Sequence, residues 1–130
     1  MKKTRILGLA LIGILSLSSV TAFASSTTFS KFALWDYQDN NYTTHKAKST
    51  NYDYSSVKCE TLTGTSKATF WIADDSEDSI SDDLSTGESS KYKEIDYNQD
   101  LDSGDNVCLG MENYYSTSQT AYANGAVIYN

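Results

Sequence analysis

Beyond residue 25 no stretch of the chain places apolar residues at helical spacing over three turns, whereas several short windows alternate apolar and polar positions with period two. The windows that read as strands are Phe29 to Tyr37, Ser55 to Leu62, Lys67 to Ala73, Tyr92 to Tyr97, Asn106 to Asn113 and Ala121 to Tyr129. Turn-forming runs separate them: Asp39-Asn40-Asn41, Thr63-Gly64-Thr65, Thr86-Gly87-Glu88 and Asp102-Ser103-Gly104-Asp105. Asn124-Gly125 falls inside the last window and reads either as a type I′ hairpin or as a glycine bulge in one terminal strand. A helical turn fits Ser79 to Leu84. Short strands at this spacing predict an all-β fold, a small antiparallel β-sandwich of six to seven strands.

The first 24 residues follow another pattern. Lys2, Lys3 and Arg5 make a cationic start, Ile6 to Val20 an apolar run broken by small residues, and Ala22-Phe23-Ala24 an A-x-A cleavage site. Residues 1–24 thus read as a cleaved signal peptide, and residues 25–130 as one secreted, extracellular domain. The apolar run falls short of the roughly 20 residues of a spanning helix, so no stable membrane anchoring is expected after cleavage.

Without the signal the chain carries 7 Lys, no Arg and 17 acidic residues, a formal charge of 7 − 17 = −10. That balance argues against nucleic acid and anionic membranes, which are bound by neutralising phosphates with Lys and Arg. Leu, Ile, Val and Phe supply only 15 of the 106 remaining residues, a composition that leans towards disorder. The 10 Tyr and 2 Trp offset it, because they bury large areas and suit sheets.

Cys59 and Cys108 are the only cysteines, and an even count in an exported protein predicts one disulfide between them, worth roughly 4 kcal/mol by loop closure. With Trp71 between them they resemble the cysteine–tryptophan–cysteine pattern of immunoglobulin domains. However, Asn106 stands where the corner tyrosine of that fold belongs. The strand faces also disagree. Cys59 shares a face with Val57 and Thr61, whereas Cys108 lies with Asn106, Gly110 and Glu112, opposite Val107, Leu109 and Met111.

Thr69-Phe70-Trp71-Ile72-Ala73, a later Gly-Ser-rich turn before Tyr92, and Glu112-Asn113-x-Tyr115-Ser116 together resemble the family catalogued as domain of unknown function twenty-seven twelve. Its members are small exported proteins of Gram-positive bacteria with a signal peptide and an all-β body. The resemblance spans most of residues 27–128, and the chain departs from it in its acidic middle and in a terminal strand without tryptophan. It implies secretion and the β class, and no catalytic residues.

Catalytic motifs are missing from the sequence. His45 is the only histidine and lies in a polar Thr-Thr-His-Lys stretch, and neither G-x-S-x-G nor H-E-x-x-H occurs. No cofactor is implied. Carboxylate-only chemistry, as in glycoside hydrolysis, has many acids to draw on but no spacing that selects a pair. Asp74, Asp75 and Asp78 form a weak candidate for a hard cation. Asn98-x-Asp100-x-Asp102 starts like a calcium loop, but Ser103 replaces its turn glycine and Leu109 its bidentate Glu.

Tyrosines in short runs with Asn or Asp, namely Tyr42, Tyr52, Tyr54, Tyr114 and Tyr115, combine flat apolar faces with hydrogen-bonding neighbours. They are the expected binding surface for an extracellular protein or glycan. The function expected from the sequence is therefore a secreted, non-enzymatic binding module. A bacteriocin-like toxin or accessory protein and a small glycan hydrolase are the alternatives.

Overall fold

A computed structural model describes residues 25–130, and the signal peptide assigned to residues 1–24 lies outside them. The described residues form nine strands: β1 (Ser25–Leu34), β2 (Asn41–Tyr42), β3 (Lys46–Ala47), β4 (Tyr54–Thr63), β5 (Ala68–Ala73), β6 (Leu84–Thr86), β7 (Lys93–Asp96), β8 (Asn106–Asn113) and β9 (Ala121–Tyr129). The predicted all-β class holds. The expected six to seven strands become nine because β2, β3 and β6 are only two or three residues long, too short to carry a readable alternation.

Two antiparallel sheets pack face to face. One has the order β1-β9-β4-β7, and the other the order β2-β8-β5-β6. Strands β2 and β3 lie end to end along one edge of β8, opposite Met111 and Gly110 and then opposite Val107 and Asn106. Thr43 fills the gap between them: its N–H donates to the Leu109 carbonyl at 2.9 Å, and the Leu109 N–H donates to its hydroxyl at 3.0 Å.

Alternation sorts the side chains. On β5, Ala68, Phe70 and Ile72 enter the space between the sheets, and on β8 Val107, Leu109 and Met111 do the same. They meet Phe29, Leu34, Val57, Cys59, Ile95, Val127 and Tyr129 from the other sheet. Tyr129 is wholly buried, and its hydroxyl lies 3.3 Å from that of Thr43, so its polar end is partnered inside the core.

Two local expectations change, and one open alternative is settled in favour of a single terminal strand. The strand predicted over Phe29 to Tyr37 ends at Leu34, and a tight turn over Asp36–Gln38 follows, with Tyr37 at φ 56° and Gln38 at φ 60°. The helical turn expected over Ser79 to Leu84 is extended chain, with single bridges from Ser79 to Ala73 and from Ser81 to Tyr97. Asn124-Gly125 makes no hairpin, because β9 runs unbroken through it and pairs with β1 on one side and β4 on the other.

The predicted disulfide is absent. Both cysteines are free and buried. Cys59 belongs to the core between the sheets, whereas Cys108 packs with Trp71, Ala73 and Tyr42 on the outer face of β8 and β5. A whole sheet therefore separates the two environments. Even cysteine count and the export expected from the sequence argue for a bridge, but side-chain parity on β8 forbids one without rebuilding the strand.

Candidate functional site

The connection from β1 to β2 and that from β8 to β9 both cross between the sheets at one end of the sandwich. They are bonded to each other: the Tyr37 N–H donates to the Thr117 carbonyl at 2.7 Å, and Gln38 Nε2 donates to the Tyr114 carbonyl at 3.0 Å. These two connections carry four exposed aromatic side chains, Trp35, Tyr37, Tyr114 and Tyr115. Tyr37 is 65% exposed on a left-handed backbone that costs an ordinary residue about 1–2 kcal/mol.

Because β8 ends at Asn113, Tyr114 and Tyr115 are not strand neighbours on opposite faces. Their rings meet edge to face at 5.0 Å, and both remain exposed. The Lys67 ammonium sits 3.9 Å from the Tyr114 ring centre. The buried Asn113 carboxamide oxygen accepts from the Thr65 hydroxyl at 2.9 Å and from the Tyr115 N–H at 3.1 Å. The turn leaving β8 is thereby tied to the turn entering β5, which limits how far Tyr115 can wander.

The other predicted tyrosines lie elsewhere. Tyr52 stacks on Tyr54 at 5.8 Å, and because Ser55 on β4 pairs with Tyr129 at the last rung of β9, this pair sits at the opposite end of the sandwich. Tyr42 meets Trp71 edge to face at 5.9 Å on the outer face of the β8 sheet. The five residues therefore form three separate places.

Tyr42 and Trp71 wall an open groove of about 290 Å³, lined also by Asn40, Glu77, Asp78, Ser79, Asp83 and Glu112. Burial, with Asp83 beside it, pushes the Glu112 carboxyl above its ordinary value. Trp71 itself is only 6% exposed, so it is chiefly a packing residue whose edge reaches the groove.

In the cation candidate, the Asp74 carboxylate accepts from the backbone N–H groups of Ser76 at 2.9 Å and Asp78 at 3.0 Å, and the Asp74 N–H donates to the Asp78 carbonyl at 3.0 Å. Asp74 thus holds a turn together, and Asp75 and Asp78 are exposed around it. Among the described residues no three His, Cys, Asp or Glu side chains gather as a metal site would require. His45 Nε2 lies 3.1 Å from the Asp74 carbonyl oxygen. Burial pushes the thiols of Cys59 to about 11 and Cys108 to about 12, the direction opposite to that of a reactive cysteine.

Sequence reasoning missed Trp35 and Tyr37 because both were absorbed into the first strand window. The Asp36 between them and the Asp39-Asn40-Asn41 run just after them were the signals that the strand had ended. No family model matches the chain, and comparison with curated proteins and with solved structures finds no match either.

Proposed function

We propose that the protein is a secreted, non-enzymatic binding module that engages an extracellular protein or glycan through the aromatic end of its sandwich. The observation that carries this reading is the pairing of two hydrogen-bonded connections bearing exposed Trp35, Tyr37, Tyr114 and Tyr115. Tyr and Trp present large contact area with few rotatable bonds, and the surrounding Asn40, Gln38, Ser116, Thr117, Ser118 and Gln119 supply adaptable hydrogen bonds. This is the composition of antibody binding loops, set on the rigid ends of two packed sheets.

Binding of the mature chain to a glycan array and to whole bacterial and plant cells tests the reading. The expected result is saturable binding that Trp35→Ala and Tyr115→Ala weaken at least about tenfold, given the weight of aromatic anchors in interfaces. Binding that survives both substitutions would overturn it.

A second reading, a small glycan hydrolase, rests on one observation: Glu112, its carboxyl raised by burial, faces Asp83 in an aromatic-walled groove. A raised acid beside a second carboxylate is the pairing that glycoside hydrolysis uses. Release of reducing sugar from cell-wall or plant polysaccharide, abolished by Glu112→Gln, would favour it over the binding module.

A further inference from the structure

On the outer face of the β1-β9-β4-β7 sheet, the pairing of β9 slips on both sides at one level. The register with β1 shifts between Phe29 and Phe32, and the register with β4 shifts between Cys59 and Thr61. One side chain joins the two irregularities. Asn124 Oδ1 accepts from the Ser30 hydroxyl at 3.1 Å and from the Lys31 N–H at 2.7 Å, while its Nδ2 donates to the Thr61 hydroxyl at 2.7 Å. Lys31 is held there at φ 48°, a conformation L residues seldom adopt without compensation. Opposed bulges of this kind re-aim side chains, and they recur beside binding sites.

The depression they frame measures about 500 Å³ and is lined by Ser30, Lys31, Thr63, Tyr122 and Asn124. Its chemistry is that of a sugar subsite. Tyr122, exposed on the central strand, offers an aromatic face of the size of a pyranose ring. Ser30 and Thr63, both hydroxyl-bearing, are part of its lining. Lys31 makes no ion pair among the described residues, in a protein otherwise dominated by carboxylates. A free cation there favours a carboxylate on the bound ring.

We propose that this bulge-framed depression is a saccharide subsite that stacks a pyranose on Tyr122 and takes a sugar carboxylate on Lys31. Its lining shares no residue with the four aromatics at the end of the sandwich. The test is calorimetric titration of the mature protein with an oligosaccharide of glucuronic acid, its neutral glucose counterpart, and citrate as a sugar-free carboxylate.

The uronic oligosaccharide should bind about fivefold more tightly than the neutral one, the span of an exposed ion pair, and citrate should not compete. Tyr122→Ala should weaken binding of both sugars about tenfold, as loss of an aromatic contact does, with an unchanged melting temperature. Lys31→Gln should bring the uronic sugar to the neutral level, and Lys91→Gln, at an exposed lysine outside the lining, should leave all three titrations unaltered. Absence of sugar binding, equal affinity for both sugars, citrate competition, or indifference to Tyr122→Ala would each overturn the proposal.

Discussion

Gly110 on β8 lies directly opposite Trp71 on β5, and a β-carbon at position 110 would overlap Nε1 and Cε2 of the indole. The indole lies across the glycine, so the tryptophan is half of a fitted pair rather than an isolated core residue. Gly110→Ala is expected to destabilise by about 1–3 kcal/mol through overpacking. Trp71→Ala should cost about 3–5 kcal/mol as a buried aromatic truncation. The two are coupled: in the Trp71→Ala background the alanine at 110 has room, and its cost should fall near zero. A double-mutant cycle in urea measures this, and additive costs would contradict the pairing.

The two thiols should be present and unreactive. With both buried and pushed to about 11 and about 12, neither supplies thiolate at pH 8 in the native fold. A thiol reagent should titrate no groups in buffer and two in denaturant. Addition of a reductant should leave the unfolding free energy unchanged, whereas a cross-linked protein would lose several kcal/mol.

Glu112 sets a pH dependence with a definite sign. Its folded carboxyl is raised by burial and by Asp83, so below the ordinary value of 4.5 the folded and unfolded chains are both protonated and the group is neutral in effect. As the pH climbs past 4.5 the unfolded chain ionises first, and stability is lost until the folded group has also titrated. Glu112→Gln should therefore unfold at a higher temperature than the parent at pH 7, with the difference vanishing below pH 4.5. The effect should be small, since the side chain keeps partial contact with water.

Tyr37 offers a separation of stability from recognition. Glycine adopts its φ of 56° without the Cβ penalty, so Tyr37→Gly should leave the melting temperature unchanged or raise it. The same change removes the most exposed of the four end-surface aromatics and should weaken partner binding. A variant that lost stability and binding in step would mean that Tyr37 serves the fold.

The long strands were legible because period-two alternation over eight or nine residues fixes both limits, as at Asn106–Asn113 and Ala121–Tyr129, which the sequence windows match end to end. Two-residue strands such as Asn41–Tyr42 have no period and exist only because β8 presents a free edge to them. The location of Cys108 was also legible. Its parity with Gly110 and against Leu109 put it on the outer face, and that local fact outweighs the general rule about exported cysteines. The candidate site was half legible. Adjacent Tyr114 and Tyr115 announce exposure, but the arrival of Trp35 and Tyr37 beside them depends on where β1 stops and on a hydrogen bond to Thr117, some 80 residues away in sequence.

Strand β9 occupies the middle of its sheet, between β1 and β4, and among the described residues no other strand joins those two. A ribosome delivers Ala121–Tyr129 after every strand it must bridge. Until then β1 and β4 have no common partner, Thr27 and Val57 have no Val127 between them, and half of the core has nothing to close upon. The order of synthesis thus separates the two sheets: β2-β8-β5-β6 has all its strands before Ala121 is made, whereas β1 and β4 wait for the last one. In a nascent chain of this design the second layer of the sandwich closes over the first only when its final strand arrives.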